Sequence, residues 1–89
     1  MNFGEAIELL KQGKKVTREF WILGFVWLKP EAILKSKNCK DPILKGIVER
    51  SDRPVYAAPE LCFTTGTFVQ SNWYPEVEDM LADDWVEVE

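Results

Sequence analysis

The last eighteen residues constrain the fold of this chain more than any other stretch. Asn72 to Glu89 reads NWYPEVEDMLADDWVEVE and holds two of the four tryptophans, seven carboxylates and no basic side chain. Large aromatic rings are stable when they are buried or stacked, whereas carboxylates are rarely buried unless they are paired. We therefore expect this segment both to close a hydrophobic core and to line a ligand pocket.

The charges are separated along the chain. All eleven Lys and Arg residues precede Pro54, where seven acids leave a balance of +4, whereas eight acids and no base follow and give −8. The two parts are expected to attract each other, within one fold or between copies. Because the net charge is −4 and there is no long basic stripe, we do not expect the chain to bind duplex DNA.

The length of 89 residues predicts a single domain over residues 1–89. A domain this small is marginally stable alone, so we expect a homo-oligomer. No apolar run is long enough to span a membrane, and the N-terminus lacks the pattern of a signal peptide, so the expected location is cytoplasmic. Cys39 and Cys62 form no CxxC pair, and there is no histidine, so we expect reduced thiols, no metal and no cofactor.

The order of elements predicts an α+β domain with a mainly antiparallel small sheet. Asn2 and Glu5 form a capping pair for an N-terminal helix from Phe3 to about Gln12, and Gly13 suits its left-handed end. Strands are predicted at 15–20, 25–29, 54–58, 61–64 and 67–70, the last two as a hairpin, followed by a short C-terminal helix at 75–82 and a final strand at 85–88. Pro75 suits the first position of that short helix.

Two further expectations concern the hydrophobic core and the middle of the chain. Phe25, Phe68 and Trp85 are predicted to lie in the core. The stretch from Pro30 to Arg53 shows no clear period, and short helical turns or a mobile excursion fit it equally well.

The absence of histidine removes the commonest general base and the usual Ser-His and Cys-His nucleophile pairs. Asp79, Asp83 and Asp84 could still serve as an acid–base pair for an enzyme, although acids at a helix end are more often solvated or capping groups. The same acids match no calcium loop. We therefore predict a binding protein with no catalytic residue, and keep an enzyme as the alternative.

The aromatic residues point to a planar ligand. Trp21 and Trp73 lie at element boundaries, where rings are often half exposed, and two such rings could sandwich a planar base. Asn72 could bond the base edge, and Asp79 or Asp84 could accept hydrogen bonds from ribose hydroxyls.

Two other groups belong to the predicted site. Trp27 shares one face of its strand with Phe25, close after Trp21 in the sequence. Phosphate groups of a ligand would be met by Arg18, Lys14 or Lys29, or by free amides at the start of the last helix.

The chain contains two long motifs, NFGEAxxxLKxGKxVxRxxW near the N-terminus and WxPxxxDMLAxDW near the C-terminus. They closely resemble a family of small phage proteins that includes the anti-Thoeris sponges of the second type. The resemblance covers both ends, about half of the chain. Two stretches depart from the family pattern: Ile22-Leu23-Gly24 replaces its small residue-Asn-Gly run, and residues 30–53 align with nothing in it.

The resemblance implies a compact α+β protomer that assembles into a homotetramer. It implies that the immune signal glycocyclic ADP-ribose is sequestered unaltered in pockets at protomer interfaces. Some members are also similar to sponges that hold cyclic oligonucleotides in a second pocket. By motif position, Trp21 and Trp73 would stack on the adenine, and Asp84 would contact the ribose or base. The alternatives are an enzyme acting on cyclic or ADP-ribosyl nucleotides and a module that binds a host protein.

Overall fold

The structure is a computed structural model that describes residues 1–89, and it confirms the predicted α+β class. In chain order the elements are α1 (Phe3–Lys11), β1 (Lys15–Arg18), β2 (Phe25–Lys29), β3 (Ala32–Leu34), α2 (Pro42–Arg50), β4 (Val55–Ala57), β5 (Glu60–Thr64), β6 (Val69–Gln70), α3 (Val77–Leu81) and β7 (Trp85–Val88), with a 3₁₀ turn at Ser36–Asn38 before α2. None of the helices has the length and apolar character needed to cross a bilayer.

The backbone divides into two compact units, one of residues 1–29 with 60–89 and one of residues 30–59. We call them the sheet unit and the inserted unit. Cooperative folding of both as the single domain 1–89 stays a prediction.

A five-stranded antiparallel sheet forms the sheet unit, in the order β6-β5-β2-β1-β7. The β5–β6 pair confirms the predicted hairpin. The final strand lies beside β1, where Arg18 is paired with Trp85. This register brings the acidic end of the chain against its basic beginning.

Helix α1 begins and ends as predicted. The Asn2 side chain accepts a hydrogen bond from the Glu5 amide at 2.8 Å, and the Glu5 carboxylate accepts one from the Asn2 amide at 3.0 Å. Gly13 follows the last turn with a φ of +83°, a left-handed conformation that favours glycine. The helix buries Ala6 and Leu10.

The core lies between α1 and one face of the sheet. Val16, Val26 and Trp85 are each 1% exposed and cluster with the buried residues of the helix. Because side chains alternate along a strand, Phe25 lies on the other face from Val26 and is only half-buried. The core prediction is thus confirmed for Trp85. It is wrong for Phe68, which follows the turn after β5 and is 58% exposed.

The loop from β1 to β2 begins earlier than predicted, because β1 ends at Arg18. Its tip is exposed, and Ile22 is 95% accessible. Its end is tightly held: Gly24 has a φ of +108°, and a Cβ there would lie 2.8 Å from the Phe63 ring and from the Thr64 carbonyl oxygen. Glycine is therefore required where the loop enters β2.

Helix α3 is shorter than predicted and begins later. Glu76 is its N-cap, so the prediction that Pro75 occupies the first helical position is wrong. The Asp79 carboxylate accepts a hydrogen bond from the Glu76 amide at 2.9 Å, which satisfies one of the free amides at the start of this helix.

The inserted unit has more structure than its sequence suggested. β3 and β4 form an antiparallel pair, and α2 is a nine-residue helix. The Asp41 side chain caps α2 by accepting from the amides of Ile43 and Leu44, and Pro42 takes the first turn. Of the two alternatives, short helical turns are thus closer to the structure than a mobile excursion, but the length of α2 and the β3–β4 pair were not expected. The signal was present as Asp-Pro followed by aliphatic residues at helical spacing.

Candidate functional site

Arg18 organises the polar part of the site. Its Nε atom donates to Asp84 Oδ1 at 2.9 Å, and its Nη1 atom donates to Asp79 Oδ1 at 2.9 Å. The side chains of Arg18 and Asp79 are only 11% and 10% exposed, whereas that of Asp84 is 28% exposed. We call this group the arginine clamp. It ties β1 to α3 and to the residue that precedes β7.

The clamp sets one cation against two carboxylates. Hydrogen bonding to Asp84 raises the pKa of Arg18 above its usual value, against the lowering effect of burial and with further support from Asp79. The guanidinium therefore stays charged at every physiological pH. Since one cation faces two carboxylates, the clamp carries a formal charge of −1, and its accessible edge is Asp84.

Asp79 is already engaged on both of its carboxylate oxygens. One accepts from Arg18, and the other accepts from the Glu76 amide. The backbone carbonyl of Asp79 also accepts a hydrogen bond from Trp85 Nε1 at 2.9 Å. Asp79 thus positions α3 and the core indole, and Asp84 is the carboxylate better placed to meet a ligand.

Trp21 is the centre of an aromatic cluster beside the clamp. Its ring lies edge-to-face against Trp85 at 5.5 Å, Phe63 at 5.6 Å and Trp73 at 6.1 Å between centroids. Such perpendicular pairs are favoured by the charge distribution of aromatic rings. Both Trp21 and Trp73 are half-buried against the core, as their positions at element boundaries predicted.

The two indoles do not form a parallel sandwich within one chain. Their planes meet at 82°, and the rings are in contact, so no slot for a base lies between them. A base bound here would stack on an outer ring face instead. Trp73 is held in place by its amide, which donates to the Leu61 carbonyl at 2.8 Å.

Asn72 lies next to Trp73 and is exposed. Its φ of +53° places it in the left-handed region, which asparagine tolerates better than most residues. This conformation turns the chain as it leaves the β5–β6 hairpin. No intramolecular hydrogen bond engages the Asn72 side-chain amide, which is therefore available to a ligand.

Trp27 lies apart from the other predicted site residues. It alternates with the core residue Val26 and so occupies the opposite face of the sheet, where its ring contacts Phe25 at 5.8 Å. These two rings line a groove of about 510 Å³ together with Gly13, Lys15, Thr64, Gly66 and Val69. The Lys15 ammonium lies 5.1 Å from the centre of the Phe25 ring and is the one charged group of the groove. We call this the Trp27 groove.

The three side chains predicted to meet phosphates are each paired with a carboxylate. Arg18 belongs to the clamp. Lys14 Nζ lies 3.6 Å from Glu87 Oε1, and Lys29 Nζ lies 3.7 Å from Glu60 Oε1. Four of the five ion pairs of the chain join a base before Pro54 to an acid after it. The expected attraction between the two parts of the chain is thus confirmed within one fold.

Two features of the site were missed at the level of the sequence. Phe63 was not recognised as a member of the aromatic cluster, and Arg18 was predicted to meet a phosphate rather than two carboxylates. The sequence offered a signal for the pairing of Arg18 with acids. Val16 and Arg18 share a strand face, and an arginine on the same face as a core valine is buried only when acidic groups pair with it.

Comparison with known proteins gives two matches that extend over nearly the whole chain. Residues 1–88 match the family model described as Thoeris anti-defense 2-like domain (Tad2-like), so the expectation that residues 30–53 align with nothing in the family is wrong. The chain is also similar to a protein of Bacillus phage SP01 named Thoeris anti-defense 2. The two are 34% identical over 87 residues, which cover 96% of this chain and 91% of that protein.

Proposed function

The chain belongs to the Thoeris anti-defense 2-like family, and we propose that it is a phage anti-defence sponge. In this role it binds the cyclic ADP-ribose signal of Thoeris defence, glycocyclic ADP-ribose, and holds it without degrading it. It acts as a homo-oligomer, a tetramer by the family resemblance, in the cytoplasm of the infected bacterium. The named relative in phage SP01 supports the anti-Thoeris role.

The ligand assignment is supported by the exposed side of the arginine clamp and of the aromatic cluster next to it. Two half-buried indoles in contact stand beside a carboxylate that is 28% exposed. An indole face accepts any planar base, and base–aromatic stacking contributes ~1–3 kcal/mol per base. A carboxylate accepts hydrogen bonds from ribose hydroxyls. Trp73, Asp84 and Asn72 therefore form the ligand-contacting set in this proposal.

Arg18 and Asp79 act in the same proposal as positioning residues. The pairing of Arg18 with both carboxylates holds Asp84 and α3 in place. The guanidinium of Arg18 can therefore bind a phosphate only if it releases one of these carboxylates. The ligand is then recognised through its base and hydroxyls rather than through its phosphates. We expect an affinity that changes little with ionic strength, because few ion pairs form on binding.

The Trp27 groove favours a second ligand position. Its aromatic lining with a single cation suits a planar anion, and cyclic oligonucleotides are the ligand class that we propose there. The Trp27 groove and the clamp lie on opposite faces of the sheet, so the two ligands would not compete directly.

Isothermal titration of the purified protein with glycocyclic ADP-ribose tests the main proposal. We expect binding that weakens by ~1–3 kcal/mol in Trp73→Ala, because one stacking face is lost. Phe68→Ala removes an aromatic ring that is 58% exposed elsewhere on the sheet unit, and it serves as the matched control with unchanged affinity. A folded wild-type protein that gives no heat at micromolar concentration contradicts the proposal.

The same sample separates a sponge from an enzyme. The candidate acids Asp79 and Asp84 are both paired with Arg18, and this arrangement favours binding over acid–base chemistry. Heat-denaturing the complex and analysing the ligand by chromatography should return the intact molecule. Conversion of the ligand would support an enzyme that uses these carboxylates.

A host-protein module is the remaining alternative. Its clearest support would be the exposed loop tip of Phe20, Ile22 and Leu23. A pull-down from bacterial lysate tests it. A protein partner lost in Trp21→Ala while nucleotide affinity stays unchanged would favour this alternative over the sponge.

A further inference from the structure

Two exposed aliphatic stripes with opposite neighbouring charges lie on α2 and α3. On α2, Ile43 and Ile47 are 75% and 51% exposed, and they stand four residues apart on one side of the helix. On α3, Val77 and Leu81 are 67% and 80% exposed with the same spacing. Aliphatic pairs of this kind are typical of helices that pack against another helix.

The stripe on α2 is bordered by basic groups. Arg50 continues it at the next helical position, and its guanidinium lies across Gly46, where a Cβ would come 2.6 Å from Nη2. Lys40 is exposed just before the helix. The inserted unit holds six bases and four acids, a balance of +2, and none of its bases takes part in the five ion pairs of the chain.

The stripe on α3 is bordered by acidic groups. Glu78 lies beside it within the helix, and Asp83 follows the helix; both are exposed, and neither is in an ion pair. The sheet unit holds eleven acids and five bases, a balance of −6. The ion pairs within the fold therefore leave unpaired positive charge around one stripe and unpaired negative charge around the other.

We propose that α2 of one copy of this chain packs against α3 of a second copy. The aliphatic stripes would form the apolar centre of the contact, and Lys40 and Arg50 would face Glu78 and Asp83 at its rim. This arrangement matches the usual anatomy of an interface, in which a desolvated apolar centre is surrounded by charged groups that set partner and register. The inserted unit thus acts as an assembly element, and the contact does not depend on which ligand the protein holds.

Association of the full-length chain, measured by sedimentation velocity over a range of concentrations, tests the contact. We expect Ile43→Asn with Ile47→Asn to weaken self-association by roughly 100-fold, because two central side chains are lost. Phe68→Asn changes an apolar residue of comparable exposure outside both stripes and should associate like the wild type. Circular dichroism of each variant confirms that it is folded.

A charge-reversal pair makes the test specific. Lys40→Glu with Arg50→Glu makes both surfaces acidic, and Glu78→Lys with Asp83→Lys makes both basic, so each variant alone should repel its own copies. A mixture of the two restores opposite charges at every such contact and should associate again. Reversal of Lys11 with Lys14, or of Glu8 with Glu89, changes as many charges away from the stripes and should have no effect.

The outcomes separate this inference from the proposed function. A wild-type chain that stays monomeric at all concentrations overturns both the contact and the proposed oligomer. A wild-type oligomer with variants that associate normally overturns the contact alone. Failure of the mixed reversal variants to associate, when each is folded, also overturns it. Titration with glycocyclic ADP-ribose is a separate measurement in every case.

Discussion

Removing Trp21 is expected to cost more stability than removing Trp73, although both rings are half-buried. Trp21 makes three edge-to-face contacts with other rings, whereas Trp73 makes one. Each such contact is worth ~0.5–1.5 kcal/mol beyond the area buried, so Trp21→Ala forfeits roughly 1.5–4.5 kcal/mol of ring contact and Trp73→Ala roughly 0.5–1.5 kcal/mol. The expected difference between the variants is ~1–3 kcal/mol.

Urea unfolding without ligand measures this difference. Both variants and the wild type are compared at one protein concentration, because association adds to apparent stability. The transition midpoint should fall further for Trp21→Ala with little change in the denaturant slope. Trp21→Phe retains a ring in the cluster and should recover much of the loss.

A loss of stability in Trp73→Ala that equals or exceeds the loss in Trp21→Ala would refute this prediction. The ring contacts at 5.5–6.1 Å would then not be the source of stability at this end of the sheet. The result also decides which variant suits ligand studies. If the prediction holds, Trp73→Ala is the better probe of binding, because it leaves more of the fold intact.

Two further predictions concern the loop glycines and the buried thiol. Gly24→Ala should lower the free energy of unfolding, measured by urea titration, by ~1–3 kcal/mol more than Gly66→Ala does. Both glycines have a positive φ, but only at Gly24 would a Cβ meet other atoms, 2.8 Å from the Phe63 ring. Equal losses in the two variants would contradict this prediction. Desolvation, aided by Glu60, raises the pKa of the Cys62 thiol above its usual 9.0. Above pH 9.0 the thiol of the unfolded chain therefore loses its proton before the native thiol does. The free energy of unfolding then falls as the pH rises, until the native thiol also ionises. Cys62→Ala should show a shallower fall in the same pH series, and an identical slope in both proteins would contradict the role of this thiol.

Local signals predicted most of the fold. The Asn2–Glu5 capping pair and Gly13 set the bounds of α1 within one residue, and the strand Phe25–Lys29 was predicted with the bounds that the structure has. These features depend on neighbouring residues alone. Helix α2 was not assigned from the sequence because it spans only nine residues, and Pro42 and Gly46 were taken to interrupt any long period.

The candidate site was harder to predict, because it depends on pairing between distant strands. The register that sets Arg18 beside Trp85 brings the arginine to two acids that lie 61 and 66 residues away in the sequence. The separation of charges along the chain indicated that its two parts attract each other. It did not indicate which acidic residues pair with Arg18. Similarly, half-exposure of Trp21 and Trp73 followed from their positions, but their perpendicular contact is a property of the packed loops.

The close contact of three indoles gives the protein an optical signature of its own. Trp21 is near enough to both Trp73 and Trp85 for their excited states to mix, at 6.1 and 5.5 Å between ring centres. Coupled transitions of this kind produce paired bands of opposite sign in circular dichroism, and their fluorescence changes when a flat molecule covers one ring. The arrangement can therefore report occupancy and unfolding without any attached dye.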